Sequence, residues 1–306
     1  MSRKYKLGVL VVLLIAVVGL LVHYLTTHDI AVLSPAGVIG QKEKHLIAIT
    51  TLLAVVVIVP VFILTGYIVW NYRETNKKPK KYSPNWDHAA RLEFIWWAVP
   101  LAIITILAFI TWNSSHALDP SKTLSSNQKP LPVQVVALQW KWLFIYPEQN
   151  IATVNLVQFP VNTPINFQIT SDAPMNSFWI PKLGGQIYAM SGMTTQLHLM
   201  ADQTGDFAGS SANISGRGFA GMKFTAKATN QADFDKWVKT VKQSPNKLSL
   251  NQYSQLAQPS ENNQVAMFGS SAANLYDDVI MQYMMPGHQL GVPVDNMAGM
   301  DNHVNY

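Results

Sequence analysis

The chain has 306 residues, of which 49% are hydrophobic and only 13% are charged. A soluble protein usually carries about 25% charged residues, so this composition excludes an ordinary soluble protein and predicts that part of the chain lies in a membrane. The formal net charge is +5, but Lys and Arg stand beside the hydrophobic segments rather than in an aromatic-interleaved basic patch, which argues against a nucleic-acid partner.

Three hydrophobic segments are long enough to cross a membrane. Residues 7–25, 46–70 and 94–112 contain no Asp, Glu, Lys or Arg. At about 1.5 Å per residue, each would span a hydrocarbon core of roughly 30 Å as a helix. We therefore expect a transmembrane helical hairpin over residues 46–112. The first segment, residues 1–25, is either a signal sequence or an extra transmembrane anchor, and we favour the anchor because no clear A-x-A cleavage site follows it.

The charges that flank these segments predict the orientation of the chain. The connection 71–91 carries six Lys or Arg against two acids, whereas residues 26–45 carry two Lys against two acids. Positive charge is enriched in cytoplasmic loops, so we place 71–91 in the cytoplasm. Residues 26–45 then form a periplasmic segment, and the chain after residue 112 lies on the same outer side.

The outer region has the pattern of a β-structure. Short runs of β-branched or alternating residues are separated by Pro, Asn, Gly and Asp. Such regular punctuation predicts a sandwich of about 100 residues, which we assign to residues 130–230. The runs are 133–138, 151–156, 165–171, 196–200 and 222–228.

A helical extension is predicted over residues 231–285. Its first helix places apolar residues at i, i+3, i+4 and i+7, with Thr229 or Asn230 available as the N-cap, and residues 274–285 form a second helix. Residues 286–306 have the composition of a flexible tail that contains Met and His. Thioether and imidazole ligands suit Cu(I), so copper binding by this tail is an open alternative, although scattered Met and His in a mobile segment are more often incidental.

The chain contains no Cys. Disulfide bonds, thiolate metal ligands and cysteine-linked lipids are therefore excluded. Any metal site in this chain would have to be built from other ligands.

Seven motifs accompany this topology of two membrane helices, a short basic loop and an outer β-sandwich. They are LSPAGVIG (33–40), YSPNW (82–86), EFIWWAVP (93–100), HALDPSK (116–122), QWKWLFIYPEQNIATVN (139–155), MNSFWIPKLGGQIYAMSGM (175–193) and GRGFAGMKF (216–224). Together with the topology, the motifs resemble subunit II of the haem–copper respiratory oxidases, and most strongly the bo-type ubiquinol oxidases. The resemblance covers most of the chain from Leu33 to about Pro245, and it implies a cupredoxin-like Greek-key sandwich in the periplasm after the membrane helices.

The same resemblance implies a lost metal site. In the cytochrome c oxidase branch, the sandwich holds a binuclear copper centre with an upstream His and a loop of the form C-x3-C-x3-H-x2-M. Alignment to that pattern puts Asn176 and Phe219 at the two His, Ser211 and Ser215 at the two Cys, and Met222 at the Met. Neutral serine hydroxyls are hard, poor ligands that cannot replace bridging thiolates. We expect no metal and no cofactor in this chain, with Phe219 filling the vacated space and Asn176 hydrogen-bonded locally.

Glu93 and Trp140 also have positions that the resemblance interprets. Glu93 begins the third hydrophobic segment, where an acid is either an interfacial end-cap or part of a proton path. The resemblance implies the entrance of the proton pathway that continues into subunit I. Trp140 matches the electron entry point of the copper-bearing branch, but here it would lead to no metal, so we predict that Trp140 and Trp142 are packing aromatics.

Together these features predict a non-redox subunit of a proton-pumping ubiquinol oxidase in a bacterial inner membrane. The resemblance implies that subunit I holds the haems and one copper, that other small membrane subunits are present, and that ubiquinol is the substrate. Cytochrome c is not expected as a donor, because the sandwich carries four acids against five basic residues. The acids are Glu148, Asp172, Asp202 and Asp206, and the basic residues are Lys141, Lys182, Arg217, Lys223 and Lys227.

The alternative function comes from a different class. A membrane-anchored periplasmic binding module, which could handle copper through the Met/His tail, would share the same topology. The family's lipid-bearing Cys has its counterpart at His28, so lipid anchoring is lost, and retention of residues 1–25 is the replacement that we expect.

Overall fold

The computed structural model describes residues 3–73 and 88–285, together with 287, 288, 290 and 291. It divides into two compact units, one of Met1–Gln41 with Pro120–Tyr306 and one of Lys42–Asp119. Most of the basic connection predicted over 71–91, and most of the tail predicted over 286–306, therefore fall outside the described residues.

The two predicted hairpin segments form long helices. Helix α2 spans Val38–Tyr72 and helix α3 spans Ala90–Ala117, and in the described part of the chain both are long and apolar enough to cross a membrane. Their apolar stretches are not buried inside the protein, which suits helices that face lipid rather than a protein core. Pro60 and Pro100 lie inside these helices, a position that membrane helices tolerate.

The first hydrophobic segment is also helical, as α1 over Arg3–Thr27. The helix is 25 residues long. The choice between a signal sequence and a retained anchor thus stays a prediction.

The predicted β-sandwich is confirmed, and it consists of two mixed sheets. One sheet has the strand order β11-β3-β2-β1-β5-β8 and the other β4-β10-β9-β6-β7. Strand pairs β1–β5 and β4–β10 are parallel, and the other pairs are antiparallel. The strands are β1 Leu131–Leu138, β2 Lys141–Tyr146, β3 Ile151–Val154, β4 Leu156–Pro160, β5 Ile165–Ser171, β6 Asn176–Trp179, β7 Ile187–Ala189, β8 Thr195–Leu199, β9 Gly205–Ser211, β10 Lys223–Thr229 and β11 Ala266–Phe268.

An aromatic cluster fills the space between the sheets. Trp142 and Phe144 of β2 reach Phe178 of β6 and Phe224 of β10, with ring centroids between 5.2 and 6.2 Å apart. Phe178 and Phe224 stack at 5.1 Å, with an angle of 9° between their planes. Pairs of buried aromatic rings stabilise a fold beyond the effect of the apolar area that they remove from water. This cluster therefore holds the two sheets together strongly.

The segment before α2, which the sequence predicts to be periplasmic, packs directly on the sandwich. The backbone amides of Ala36 and Gly40 donate to the carbonyls of Lys182 and Leu183, at 2.7 and 2.9 Å. A Cβ at Gly37 would lie 2.8 Å from the Met200 carbonyl oxygen. Only glycine fits at this position, and the fit fixes the start of α2 against the domain.

The C-terminal segment departs from the predicted helical extension. Helix α4 spans Gln231–Lys242 with Asn230 as its N-cap, and α6 spans Leu275–Met284, close to the predicted second helix. Between them lie a helix that the sequence did not indicate, α5 over Leu250–Ala257, and strand β11, which pairs with β3. The segment is thus not purely helical, because its strand extends the six-stranded sheet.

The predicted run 151–156 is in fact two strands. Asn155 has a left-handed backbone, with φ of 56°, so β3 ends before it and β4 begins after it. Asn tolerates this conformation better than most residues. The turn transfers the chain from one sheet to the other.

Candidate functional site

Three of the positions that were matched to the copper-site pattern lie close together in the sandwich: Asn176, Ser211 and Met222. Asn176 begins β6 and Ser211 ends β9, and Phe178 pairs with Ser211 in the sheet register. The amide of Ser211 donates to the Met222 carbonyl over 3.2 Å. Residues 211–222, called the 211–222 loop below, leave the sheet and return to it at β10.

Asn176 and Ser211 form a buried neutral hydrogen-bond pair. Their exposed fractions are 1% and 6%. Ser211 Oγ donates to Asn176 Oδ1 over 3.0 Å, and Asn176 Nδ2 donates to the Pro174 carbonyl over 2.6 Å. The Ser211 hydroxyl and both polar atoms of the Asn176 amide therefore have hydrogen-bond partners, which buried polar groups need.

The other three positions differ in burial. Met222 is 1% exposed, whereas Phe219 is half-buried on a single 3₁₀ turn, Phe219–Gly221. The role of Phe219 as an apolar filler stays a prediction. Ser215 Oγ is buried and has no hydrogen-bond partner among the described residues.

The chemistry of these donors does not fit a copper pair. They are two hydroxyls, one amide and one thioether, and none supplies the bridging negative charge that two close copper ions require. Within the described ranges there is also no group of three or more His, Cys, Asp or Glu that could hold a metal ion. We derive no redox step from this end of the sandwich.

Trp140 lies on the backbone of the 211–222 loop. Its indole Nε1 donates to the Ser215 carbonyl over 3.0 Å, and a Cβ at Gly218 would lie 2.4 Å from its ring. Trp140 is 9% exposed and Trp142 is fully buried. Both indoles therefore act as packing groups in the fold, with Trp140 holding the loop and Trp142 in the core.

Glu93 lies in the other unit, in the first turn of α3. Its Oε1 accepts a hydrogen bond from the Ala89 amide at 3.0 Å and lies 2.8 Å from His88 Nδ1. A carboxylate in this position satisfies an amide that the helix leaves unpaired and complements the helix dipole. This geometry gives Glu93 a capping function, and a second function in proton uptake stays a prediction.

The sequence does not predict two groups of polar contacts, those of Lys141 and those of Asp172. Lys141 is 1% exposed although it is charged. Only its position between two tryptophans in the sequence could have indicated this burial. Asp172 accepts hydrogen bonds from Tyr253 of α5 at 2.5 Å and from Tyr283 of α6 at 2.7 Å. The residues around Asp172 do not indicate partners that lie 81 and 111 positions away in the sequence.

His288, in the predicted tail over 286–306, is buried in the structure. It is 6% exposed, and its Nε2 lies 3.7 Å from Asp278 Oδ1 of α6. The remaining Met and His of the tail lie beyond the described residues.

Comparison with known proteins accounts for this architecture. A family model described as "Cytochrome C oxidase subunit II, periplasmic domain" matches residues 148–229, and one described as "COX Aromatic Rich Motif" matches residues 242–287. "Cytochrome bo(3) ubiquinol oxidase subunit 2" of Pseudomonas putida is 52% identical over 87% of this chain and 84% of that protein. The chain belongs to the ubiquinol oxidase subunit 2 family.

Other members of the ubiquinol oxidase subunit 2 family match to a similar extent. The protein of the same name from Pseudomonas aeruginosa is 47% identical over 90% of this chain and 82% of that protein. "Ubiquinol oxidase subunit 2" of Acetobacter aceti is 48% identical over 83% of both chains. The alternative of a stand-alone binding module is therefore not favoured.

Proposed function

We propose that this chain is the non-redox subunit II of a proton-pumping terminal ubiquinol oxidase of an aerobic respiratory chain. The observation that carries the proposal is the 52% identity to a ubiquinol oxidase subunit 2 over 87% of the chain. The neutral pair of Asn176 and Ser211 supports the non-redox part, because it occupies two of the metal-site positions with satisfied hydrogen bonds.

The redox centres belong to a partner in this proposal. Subunit I carries the haems and one copper, oxidises ubiquinol and reduces oxygen to water, and this chain anchors and caps that subunit together with other small membrane subunits. The two apolar helices suit a lipid environment, and the domain of the periplasmic subunit II type suits water. Both support a role for this chain in anchoring and capping subunit I. The membrane is then the bacterial inner membrane, with the sandwich in the periplasm.

Glu93 has a second function in this proposal. As the acid at the cytoplasmic start of α3, it takes up protons at the entrance of a pathway that continues into subunit I. Its support is chemical: an ionisable side chain at a membrane boundary is costly and is often functional. The cap at Ala89 does not compete with this function, because a carboxylate has a second oxygen.

Co-purification tests the assembly directly. The full-length chain, tagged and extracted from membranes in mild detergent, should bring down a haem-containing subunit and quinol oxidase activity in constant ratio. The matched control is the same chain without a tag, which should yield neither the haem protein nor the activity. Recovery of the full-length chain without any haem protein would contradict the proposal and would favour the alternative function, a stand-alone binding module.

A further inference from the structure

Lys141 is a buried cation that none of the functions above uses. It lies on β2 with only 1% of its surface exposed, and burial lowers its pKa. Its Nζ donates to the Gln258 carbonyl at 2.8 Å and to Ser260 Oγ at 2.5 Å. In the part of the chain that the structure describes, no carboxylate lies within ion-pair distance of it. Hydrogen bonds from a charged donor are stronger than neutral ones, so these two contacts hold their acceptors firmly.

The acceptors of Lys141 belong to a short segment after α5, residues 258–263, called the strap below. The Ser260 amide donates to the Gln139 carbonyl over 3.1 Å. Ser260 Oγ donates to Asn263 Oδ1 over 2.8 Å, and the Asn263 carbonyl accepts from Asn155 Nδ2 over 3.0 Å. The strap is therefore tied to the sandwich at both of its ends.

The middle of the strap touches the 211–222 loop. Glu261 pairs with Arg217 over 2.6 Å. Asn262 has a left-handed backbone, with φ of 54°, and a Cβ at Gly221 would lie 2.6 Å from its Oδ1. Residues that are sequence neighbours in the strap thus hold the loop at two points, Arg217 and Gly221.

The loop is also held by Trp140, the residue directly before Lys141. Trp140 Nε1 donates to the Ser215 carbonyl, and a Cβ at Gly218 would lie 2.4 Å from the ring. The side chain of the next residue, Lys141, anchors the strap. Two adjacent residues at the start of β2 therefore connect the sandwich to the loop, Trp140 directly and Lys141 through the strap.

We propose that the strap fixes the 211–222 loop in a single conformation without a metal ion, and that Lys141 is the anchor through which it does so. The C-terminal segment is then a conformational device and not only a cover for the sheet. A buried, uncompensated charge is costly, and an apolar side chain of similar length would fill the same space. The retained ammonium is explained by the two strap acceptors that only a donor at this position can reach.

Hydrogen exchange on the full-length chain in detergent tests this inference. The reporter amides are those of Ser211, Phe219, Gly221 and Met222, which are hydrogen-bonded within the loop. Lys141→Met keeps the length of the side chain but removes both strap contacts. We expect these amides and those of the strap to exchange about ten-fold faster or more, while β1 and β5 are unchanged. Lys227→Met is the matched control, because Lys227 is half-exposed and 3.9 Å from Asp206, and it should leave the loop amides as in the wild type.

A second pair of variants keeps the test valid if Lys141→Met does not fold. Glu261→Arg places a second positive charge beside Arg217 at the surface. It should speed hydrogen exchange in the loop by about two- to five-fold, the effect expected from the loss of an exposed ion pair. Adding Arg217→Glu restores opposite charges and should restore the wild-type rate. Loop exchange at the wild-type rate in a folded Lys141→Met protein would overturn the inference, and so would wild-type exchange in Glu261→Arg where Lys141→Met does not fold. Trp140 alone would then hold the loop.

Discussion

Ser211 Oγ and Asn176 Oδ1 lie 3.0 Å apart, joined by a hydrogen bond between two buried neutral side chains. The hydroxyl and the amide stand at two positions where the copper-bearing branch of oxidases is expected to have a thiolate and an imidazole. The bond gives a partner to the Ser211 hydroxyl and to the Asn176 carbonyl oxygen, both of which folding removes from water.

Removing one partner should expose this dependence. Ser211→Ala leaves the buried Asn176 oxygen without a donor, and an unpaired buried acceptor costs about 1–3 kcal/mol. We expect the unfolding temperature of the full-length protein to fall by several degrees. Ser210→Ala is the matched control, because the neighbouring Ser210 is only half-buried and should change little. Equal stability of the two variants would show that the pair does not support the fold.

Gly37 is one of the tight points between the segment that precedes α2 and the sandwich. Gly37→Val would place a Cβ 2.8 Å from the Met200 carbonyl, and overpacking against backbone costs about 1–3 kcal/mol. Thermal unfolding of the detergent-solubilised protein should detect the loss. The same substitution at Gly19, which has nothing within 4 Å of an added Cβ, should be tolerated. A stable Gly37→Val protein would mean that the segment is not docked as described.

The tyrosine contacts of Asp172 predict an alkaline limit to stability. Burial, and then the hydrogen bond and negative charge of Asp172, raise the pKa of Tyr283 to about 12. A group whose pKa is raised by folding stabilises the native state below its unfolded pKa of about 10, and this stabilisation is lost as the pH rises toward 12. The free energy of unfolding should therefore fall over this range.

An ultraviolet titration of tyrosine checks the cause. Asp172→Asn removes the charge and should lower the pKa of Tyr283, with Tyr283→Phe identifying its signal. Tyr276 is the internal control, because its hydroxyl lies 3.3 Å from Thr194 Oγ1 and not at Asp172. An unchanged titration in Asp172→Asn would contradict the assigned contact.

Glu93 allows its two functions to be separated. Glu93→Gln keeps an oxygen that can accept from the Ala89 amide but cannot carry a proton, whereas Glu93→Asp keeps the charge on a shorter side chain. If Glu93 takes up protons, Glu93→Gln and Glu93→Ala should slow quinol oxidation severely, with haem content intact, and Glu93→Asp should retain more activity. Wild-type turnover in Glu93→Gln would leave only the helix cap.

The sequence predicted the elements whose chemistry is local. The apolar runs that became α2 and α3, the alternation in β1, β5 and β10, and the Asn230 cap of α4 are all visible within a few residues. Strand β9 was not visible, because Gly, Ala and Ser dominate it and its pairing with β10 supplies what its propensity lacks. Strand β11 is three residues long, too short for any period.

The same distinction between local and long-range interactions applies to the candidate site. Positions such as Ser211 and Asn176 could be named from motifs, but the hydrogen bond between them depends on two strands that meet in one sheet. Lys141 could not be predicted as buried, since a lysine in a strand is usually solvated. Only the approach of residues 258–263, more than a hundred positions later, provides its acceptors.

The electron donor tests the central claim most directly. The purified oxidase that contains this chain should be offered ubiquinol and reduced cytochrome c in parallel, with oxygen consumption as the common readout. Because this chain has no Cys and presents Asn176, Ser211, Ser215 and Phe219 at the ligand positions, we predict steady oxygen uptake with ubiquinol and none above background with cytochrome c. Steady turnover with reduced cytochrome c would contradict the account of this chain as a non-redox subunit of a ubiquinol oxidase.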